Sequence, residues 1–173
     1  FSYVKREVTS ILHLENTIDK NLEKFRPSHK RAIKKGEGRG LICTESNDFE
    51  NFYLMLEKNL KTRHGVVPTH TLNELKILHK IFPKKIKLFS SFYKEKMVAG
   101  VLNFIINEQV VLAFYITHDE SYSDIRPLNL LFYKMFEWAI QSNFKIYDFG
   151  IFTVNGNPNM GLGRFKENFG SSG

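Results

Sequence analysis

Leu128-Asn129-Leu130-Leu131-Phe132-Tyr133-Lys134-Met135-Phe136-Glu137-Trp138-Ala139-Ile140, followed after a short turn by Ile146-Tyr147-Asp148-Phe149, decides the fold of this chain. The first run is apolar almost all the way round, which marks a deeply buried helix. The second is a short strand that runs into Gly150. Upstream lie three runs rich in β-branched and aromatic residues: Ile86–Tyr93, Met97–Ile106 and Gln109–Thr117. Their connections, Lys94-Glu95-Lys96 and Asn107-Glu108, are short enough for tight hairpins, so the three runs predict an antiparallel meander. A meander strand, the buried helix and the next strand then form a βαβ crossover, with the helix packed on the sheet.

Further from this centre, Val8–Leu14 reads as a strand. Pro27 suits the first turn of a helix running to about Lys35 and stopping at Gly36. Gly36-Glu37-Gly38-Arg39-Gly40 reads as a turn and Leu41–Glu45 as a short strand. Asp48 can cap a helix whose apolar face is Phe49, Phe52, Leu56 and Leu60. Thr71 and Glu74 form a capping-box pattern ahead of Leu72, Leu75, Leu78 and Phe82, and Pro83 ends that helix. The order is strand, helix, strand, two helices, three-stranded meander, buried helix, strand. This predicts a single α+β domain with a mixed, mostly antiparallel sheet and flanking helices.

The composition narrows the class. In 173 residues, 42% are hydrophobic and 14% aromatic, with 16 Phe, which predicts an aromatic-rich packed core and excludes a disordered chain. Apolar runs are short and interrupted by charge, so no transmembrane helix is expected. A single Cys43 in a strand-like setting excludes an internal disulfide and a cysteine-built zinc site, and fits a reducing, cytoplasmic compartment. No metal-ligand spacing occurs among the six His, which read as ordinary loop or surface residues; no metal is expected. The net charge of +7 points to a polyanionic partner.

The chemistry-bearing residues gather in two places. At the end of the chain, Lys145–Gly150 leads through a glycine-rich loop to Gly163-Arg164-Phe165-Lys166-Glu167-Asn168-Phe169-Gly170, where aromatics flank Lys166 and hold it in a cleft. Ligands of α/β proteins gather at such strand ends. Lys166 either faces a site or pairs on the surface with Glu167 or Asp148. Asp148 either orients an acceptor group or accepts backbone N–H bonds from the loop after Gly150. The second place is the basic run Arg26, Lys30, Arg31, Lys34 and Lys35, where like charges four apart crowd one side of a helix. It is either a solvated face or a seat for a phosphorylated ligand or nucleic acid.

The element order resembles the acyltransferase fold of the GNAT superfamily. Three features are more specifically similar to the FemAB-like branch: R-x-x-x-K-R-A-I-K-K-G from Arg26 to Gly36, Tyr147-Asp148-Phe149-Gly150 after the buried helix, and the closing Phe165-Lys166-Glu167-Asn168-Phe169-Gly170. The resemblance runs from about Val8 to Gly170. It implies transfer of an acyl or aminoacyl group to an amine, often on peptidoglycan precursors, with aminoacyl-tRNA or acyl-CoA as donor. It also implies that Lys166 stabilises an oxyanion and Asp148 serves the amine. Arg26, Lys30, Arg31, Lys34, Lys35 and Arg126 would then bind an anion, with Tyr115, Tyr147 and Phe165 lining the pocket. Many members of the branch carry two copies of the fold, so residues 1–14 are expected to be left from a preceding segment, 15–173 to be one copy, and a second copy to lie outside this chain.

One departure bears on the donor. Where the superfamily's CoA users have a Q/R-x-x-G-x-G/A loop whose N–H groups cradle pyrophosphate, this chain has Asp119-Glu120-Ser121-Tyr122-Ser123-Asp124-Ile125-Arg126-Pro127. It contains no glycine, three acids, and a proline without an N–H. The helix dipole and Arg126 leave an anion site open there. Two rivals stand beside aminoacyl transfer: an acyl-CoA- or acyl-carrier-dependent N-acyltransferase, and a non-catalytic module binding nucleic acid through residues 26–39.

Overall fold

A computed structural model describes residues 7–154 and 156–173. Its elements in chain order are β1 (Thr9–His13), α1 (Ile18–Lys24), α2 (Pro27–Gly38), β2 (Ile42–Ser46), α3 (Phe49–His64), α4 (Leu72–Ile81), β3 (Ile86–Tyr93), β4 (Lys96–Ile105) and β5 (Val110–His118). A 3₁₀ turn (Glu120–Ile125), α5 (Pro127–Gln141), β6 (Ile146–Ile151), β7 (Thr153–Val154), β8 (Asn157–Pro158) and α6 (Met160–Glu167) follow. Six strands form one sheet in the order β1-β6-β5-β4-β3-β2. Every neighbouring pair is antiparallel except β5 and β6, which are parallel and joined through α5. The meander and the crossover are thus those the sequence predicts. Thr9–His13, set apart above as part of residues 1–14, pairs along β6 within this same sheet.

Alternation along the strands sends apolar side chains to both faces, and a separate core forms on each. On one face α5 packs with Phe132, Met135, Phe136 and Ala139 against Val101, Val111, Tyr147 and Phe149. On the other, Phe52 and Leu56 of α3 and Leu75 of α4 cover Leu88, Met97 and Leu102. Both predicted caps form: Asp48 accepts from the Asn51 N–H, and Thr71 with Glu74 makes a complete capping box.

Four local expectations need correction. Helix α2 does not stop at Gly36 but continues to Gly38, with Arg39 as its C-cap. Gly36 is there for packing: a Cβ would lie 3.2 Å from the Leu130 Cβ and 3.1 Å from Leu41, so its absence lets α2 settle against α5. Helix α1, capped by Thr17, lies within what read as an undivided charged stretch. The β7–β8 hairpin interrupts the loop after Gly150. Lys166 belongs to a helix, α6, whose N-cap Asn159 offsets two helix-weakening glycines by accepting the Leu162 N–H.

Tyr147 is also not where the resemblance placed it. It is wholly buried in the α5-side core, and its hydroxyl donates to Asn103 Oδ1 at 2.6 Å. Burial pushes its phenol well above the ordinary range. Tyr147→Phe would leave the buried Asn103 oxygen without this donor, at a cost of about 1–3 kcal/mol in stability. Urea unfolding should show the loss as a lower midpoint with an unchanged slope.

Candidate acyl-transfer site

Strands β5 and β6 pair only from Val110↔Ile146 to Leu112↔Asp148 and then diverge. Where they part, β5 carries a bulge: Leu102 faces Tyr115 while Asn103 faces Ala113, so Phe114 is the extra residue. Bulges commonly re-aim side chains beside functional sites. Here the phase of β5 is reversed: Val111 and Ala113 point to the α5 side, but Tyr115 points to the α3 side. This corrects the expectation for Tyr115, whose hydroxyl is engaged by His70 and is absent from the cavity. Phe114 takes the cavity position instead.

The divergence opens a cavity of about 700 Å³ between the second half of α3, the end of β5, the first turn of α5, the end of β6 and helix α6. Lys166, Phe165 and Arg126 all line it, so three of the expected residues are brought together. Gly150 lies at its floor with φ +71, a conformation natural to glycine, and its missing Cβ avoids the Ala113 carbonyl. Lys166 is only 1% exposed. Its ammonium donates to the carbonyls of Gly150 at 2.7 Å and Ile151 at 2.8 Å, which uses two of its three protons. Burial pushes its pKa down to about 8, opposed by the charge of Asp148.

Asp148 itself does not line the cavity. Its Oδ1 accepts the Gly150 N–H at 2.8 Å and also the Thr9 hydroxyl. It has the structural form of the two read from sequence: a carboxylate that fixes the loop after Gly150 and so positions the carbonyl that Lys166 grips. The basic residues of α2 stay outside the cavity too. Arg26, Arg31, Lys34 and Lys35 are exposed and Lys30 is half-buried. Helix α2 reaches the site through His29, whose ring packs on Phe165 and Phe169 and whose basicity is lowered by burial and the nearby Arg126.

Sequence reasoning weighed His118, with Asp119, as an oriented base and set it aside as an ordinary histidine, and it missed several other cavity residues. His118 and Ser123 line the cavity together, with Nε2 and Oγ 3.3 Å apart, and burial, then the nearby Arg63, lowers the His118 pKa. Asn59, Thr117 and Asn129 are there as well, and Arg63 lies at the mouth, paired with Glu120. No carboxylate is among the lining residues. These residues come from α3, β5, the 3₁₀ turn and α5, and only the diverging strands bring them together. The glycine-free loop folds as the 3₁₀ turn, and Arg126, with φ +57, caps α5 immediately before Pro127.

The description "Acetyltransferase (GNAT) domain" matches residues 23–167. The chain belongs to the GNAT acyltransferase family. Among solved structures, FemX aligns over 98% of this chain and 60% of its own, with 14% identity and a TM-score of 0.81. L-PGS from Bacillus licheniformis aligns over 97% and 57%, at 14% identity and a TM-score of 0.65. The C-terminal domain of a putative lysylphosphatidylglycerol synthetase from Agrobacterium fabrum does so over 97% and 57%, at 8% identity and a TM-score of 0.65. At these identities the likeness is one of fold. This GNAT domain spans about three-fifths of the length of each of these chains. No curated protein sequence matches it. Among the described residues, no helix is long and apolar enough to cross a membrane, and no cluster of His, Cys, Asp or Glu could hold a metal.

Proposed function

We propose that this GNAT domain transfers an acyl or aminoacyl group to an amine, with the donor carbonyl seated against Lys166. The observation that carries the reading is a buried ammonium at the floor of the cavity between the diverging strands. Attack of an amine on an ester or thioester carbonyl builds negative charge on its oxygen. A fixed cation with one proton still uncommitted stabilises that charge in a water-poor site. Asp148 acts at one remove, holding Gly150 and thereby the two carbonyls that aim Lys166.

Aminoacyl-tRNA is the donor best supported. The turn before α5 has no glycine, and Arg126 and Pro127 occupy the helix entry where consecutive backbone N–H groups would otherwise meet a pyrophosphate. The exposed basic row on α2, with Arg126, supplies positive charge suited to a tRNA or another phosphorylated ligand. Membership of an acetyltransferase family favours a second reading, acyl-CoA or acyl-carrier thioester as donor. Incubating the domain with charged tRNA in one arm and acyl-CoA in the other, with an amine acceptor, separates them. Amide formation without thiol release supports the first reading, and thiol release coupled to amide formation the second. A cytoplasmic role on peptidoglycan precursors, and a second copy of the fold outside this chain, are the proposed setting.

The depressed pKa of Lys166 has a kinetic consequence. Below about pH 8 the lysine carries its proton in the folded protein, and above it the cation is lost. With substrate saturating, kcat should therefore fall as pH rises through about 8, approaching tenfold per pH unit. In Lys166→Met this falling limb should be absent from the residual rate.

A further inference from the structure

Helix α4 is apolar both on the side it buries and on the side it shows. Leu72, Leu75 and Leu78 pack into the core shared by α3 and the sheet. Ile77 and Ile81, four apart and so neighbours on one face, are 47% and 59% exposed. Phe82, the C-cap, is 51% exposed. The turn that follows carries this apolar surface to the β4–β5 hairpin. There the Lys85 carbonyl accepts the Ile105 N–H at 2.7 Å, and the next residue, Ile106, is 55% exposed. Surface helices ordinarily turn polar residues outward. Positive charge lies on the same segment: residues 76–87 hold five lysines and no acid. Lys76 pairs with Glu50 and Lys87 with Glu45. Lys80, Lys84 and Lys85 are exposed and have no ion pair among the described residues. Of the acids nearby in sequence, Glu74 is held in the capping box and Glu108, in the hairpin, is exposed. The helix dipole favours lysines at this end of α4, but it gives no reason for exposed isoleucines and a phenylalanine among them.

We propose that α4, the turn after it and the tip of the β4–β5 hairpin dock this domain on an anionic phospholipid bilayer. Ile77, Ile81, Phe82 and Ile106 enter the boundary between headgroups and acyl chains. Lys80, Lys84 and Lys85 lay their stems along that boundary and set their ammonium groups on the phosphates. An RNA backbone would use the lysines and leave the aliphatic side chains without a partner, so the mixture of the two selects a lipid surface. At ten residues α4 lies on the bilayer and cannot span it. The hairpin stands at the start of β5 and the cavity at its end, roughly 25 Å away along the strand. Docking therefore leaves the cavity free, and the inference is independent of the acyl-transfer reading.

The test is sedimentation with vesicles of phosphatidylcholine alone, or of equal parts phosphatidylcholine and phosphatidylglycerol. The domain should partition onto the mixed vesicles at least about tenfold more strongly than onto the neutral ones, and less as salt is raised. Lys84→Gln and Lys85→Gln should each weaken that partition about fivefold. Ile77→Ser combined with Ile81→Ser keeps the charge and should weaken it about tenfold or more. These four side chains are exposed, so the variants should keep the wild-type circular dichroism. Equal partition onto both vesicles, no partition onto either, or full binding by the double serine variant would each overturn the assignment. So would an equal loss from Arg31→Gln with Lys35→Gln on α2 as from the two lysines after α4, since that marks charge alone. A dimer that forms without vesicles and that Ile81→Ser dissolves would give this face to a second copy and overturn it as well.

Discussion

Lys166→Met is expected to lower kcat by a factor of about 10²–10³, the usual effect of removing one preorganised donor from an oxyanion site. Methionine suits the comparison because it is unbranched, of similar length, and keeps the packing of a side chain that is 1% exposed. It removes the ammonium that joins α6 to the carbonyls of Gly150 and Ile151. Those carbonyls then lose a charged donor, so a stability cost of about 1–3 kcal/mol should accompany the kinetic one. For a domain of this size that is a fall in Tm of about 2–12 °C. Circular dichroism at the assay temperature separates the two effects. A folded Lys166→Met protein that turns over at the wild-type rate would remove this lysine from the chemistry.

Phe136→Ala should be the most damaging single change to the fold, costing about 3–5 kcal/mol. Phe136 is fully buried on α5 and meets the rings of Phe25, Phe132, Tyr147, Phe149 and Phe169 at centroid distances from 5.0 to 6.0 Å. Most of these contacts are edge-on or tilted, the arrangement aromatic quadrupoles favour. Its neighbours come from the C-cap of α1, from α5, from β6 and from the segment after α6, so no single element can collapse to refill the space. Thermal unfolding should register a drop of about 6–20 °C. A shift under about 3 °C would mean that the cluster closes around the gap.

How much of this was legible in the sequence depended on how local the cause was. The meander, the buried helix and both N-caps follow from periodicity and short-range chemistry, and they appear where expected. Gly36 misled because its role lies across an interface: the sequence shows a residue that ends helices, while the structure shows one that lets α5 approach. Helix α6 was hidden because two glycines in eight residues read as a loop. At the site, Lys166 and Phe165 were found from their aromatic setting, and Arg126 from the helix entry. Tyr115 went to the wrong face because a one-residue bulge, invisible to alternation, reverses the strand beyond Ala113. Thr117 and Asn129 carried no motif, and His118 beside Asp119 read as an ordinary histidine; the cavity between two diverging strands is what brings the three together.

The contacts of β1 with β6 on one side and with residues 171–172 on the other bear on how the site comes into being. Thr9 holds Asp148, the Ile11 and Ser172 backbones exchange a pair of hydrogen bonds, and the Ser10 and Ser171 hydroxyls meet at 2.7 Å. These partners are separated by 139 to 161 positions, so closing them carries a large loop entropy. The meander, built from hairpins, has only short loops to close and should assemble early, with β1 zipping onto β6 and residues 171–172 onto β1 afterwards. The floor under Lys166 is therefore the last part of the domain to set during folding and the first to loosen on unfolding. Trimming residues 7–10 or 171–173 should speed amide exchange at Gly150 while leaving β3 and β4 protected.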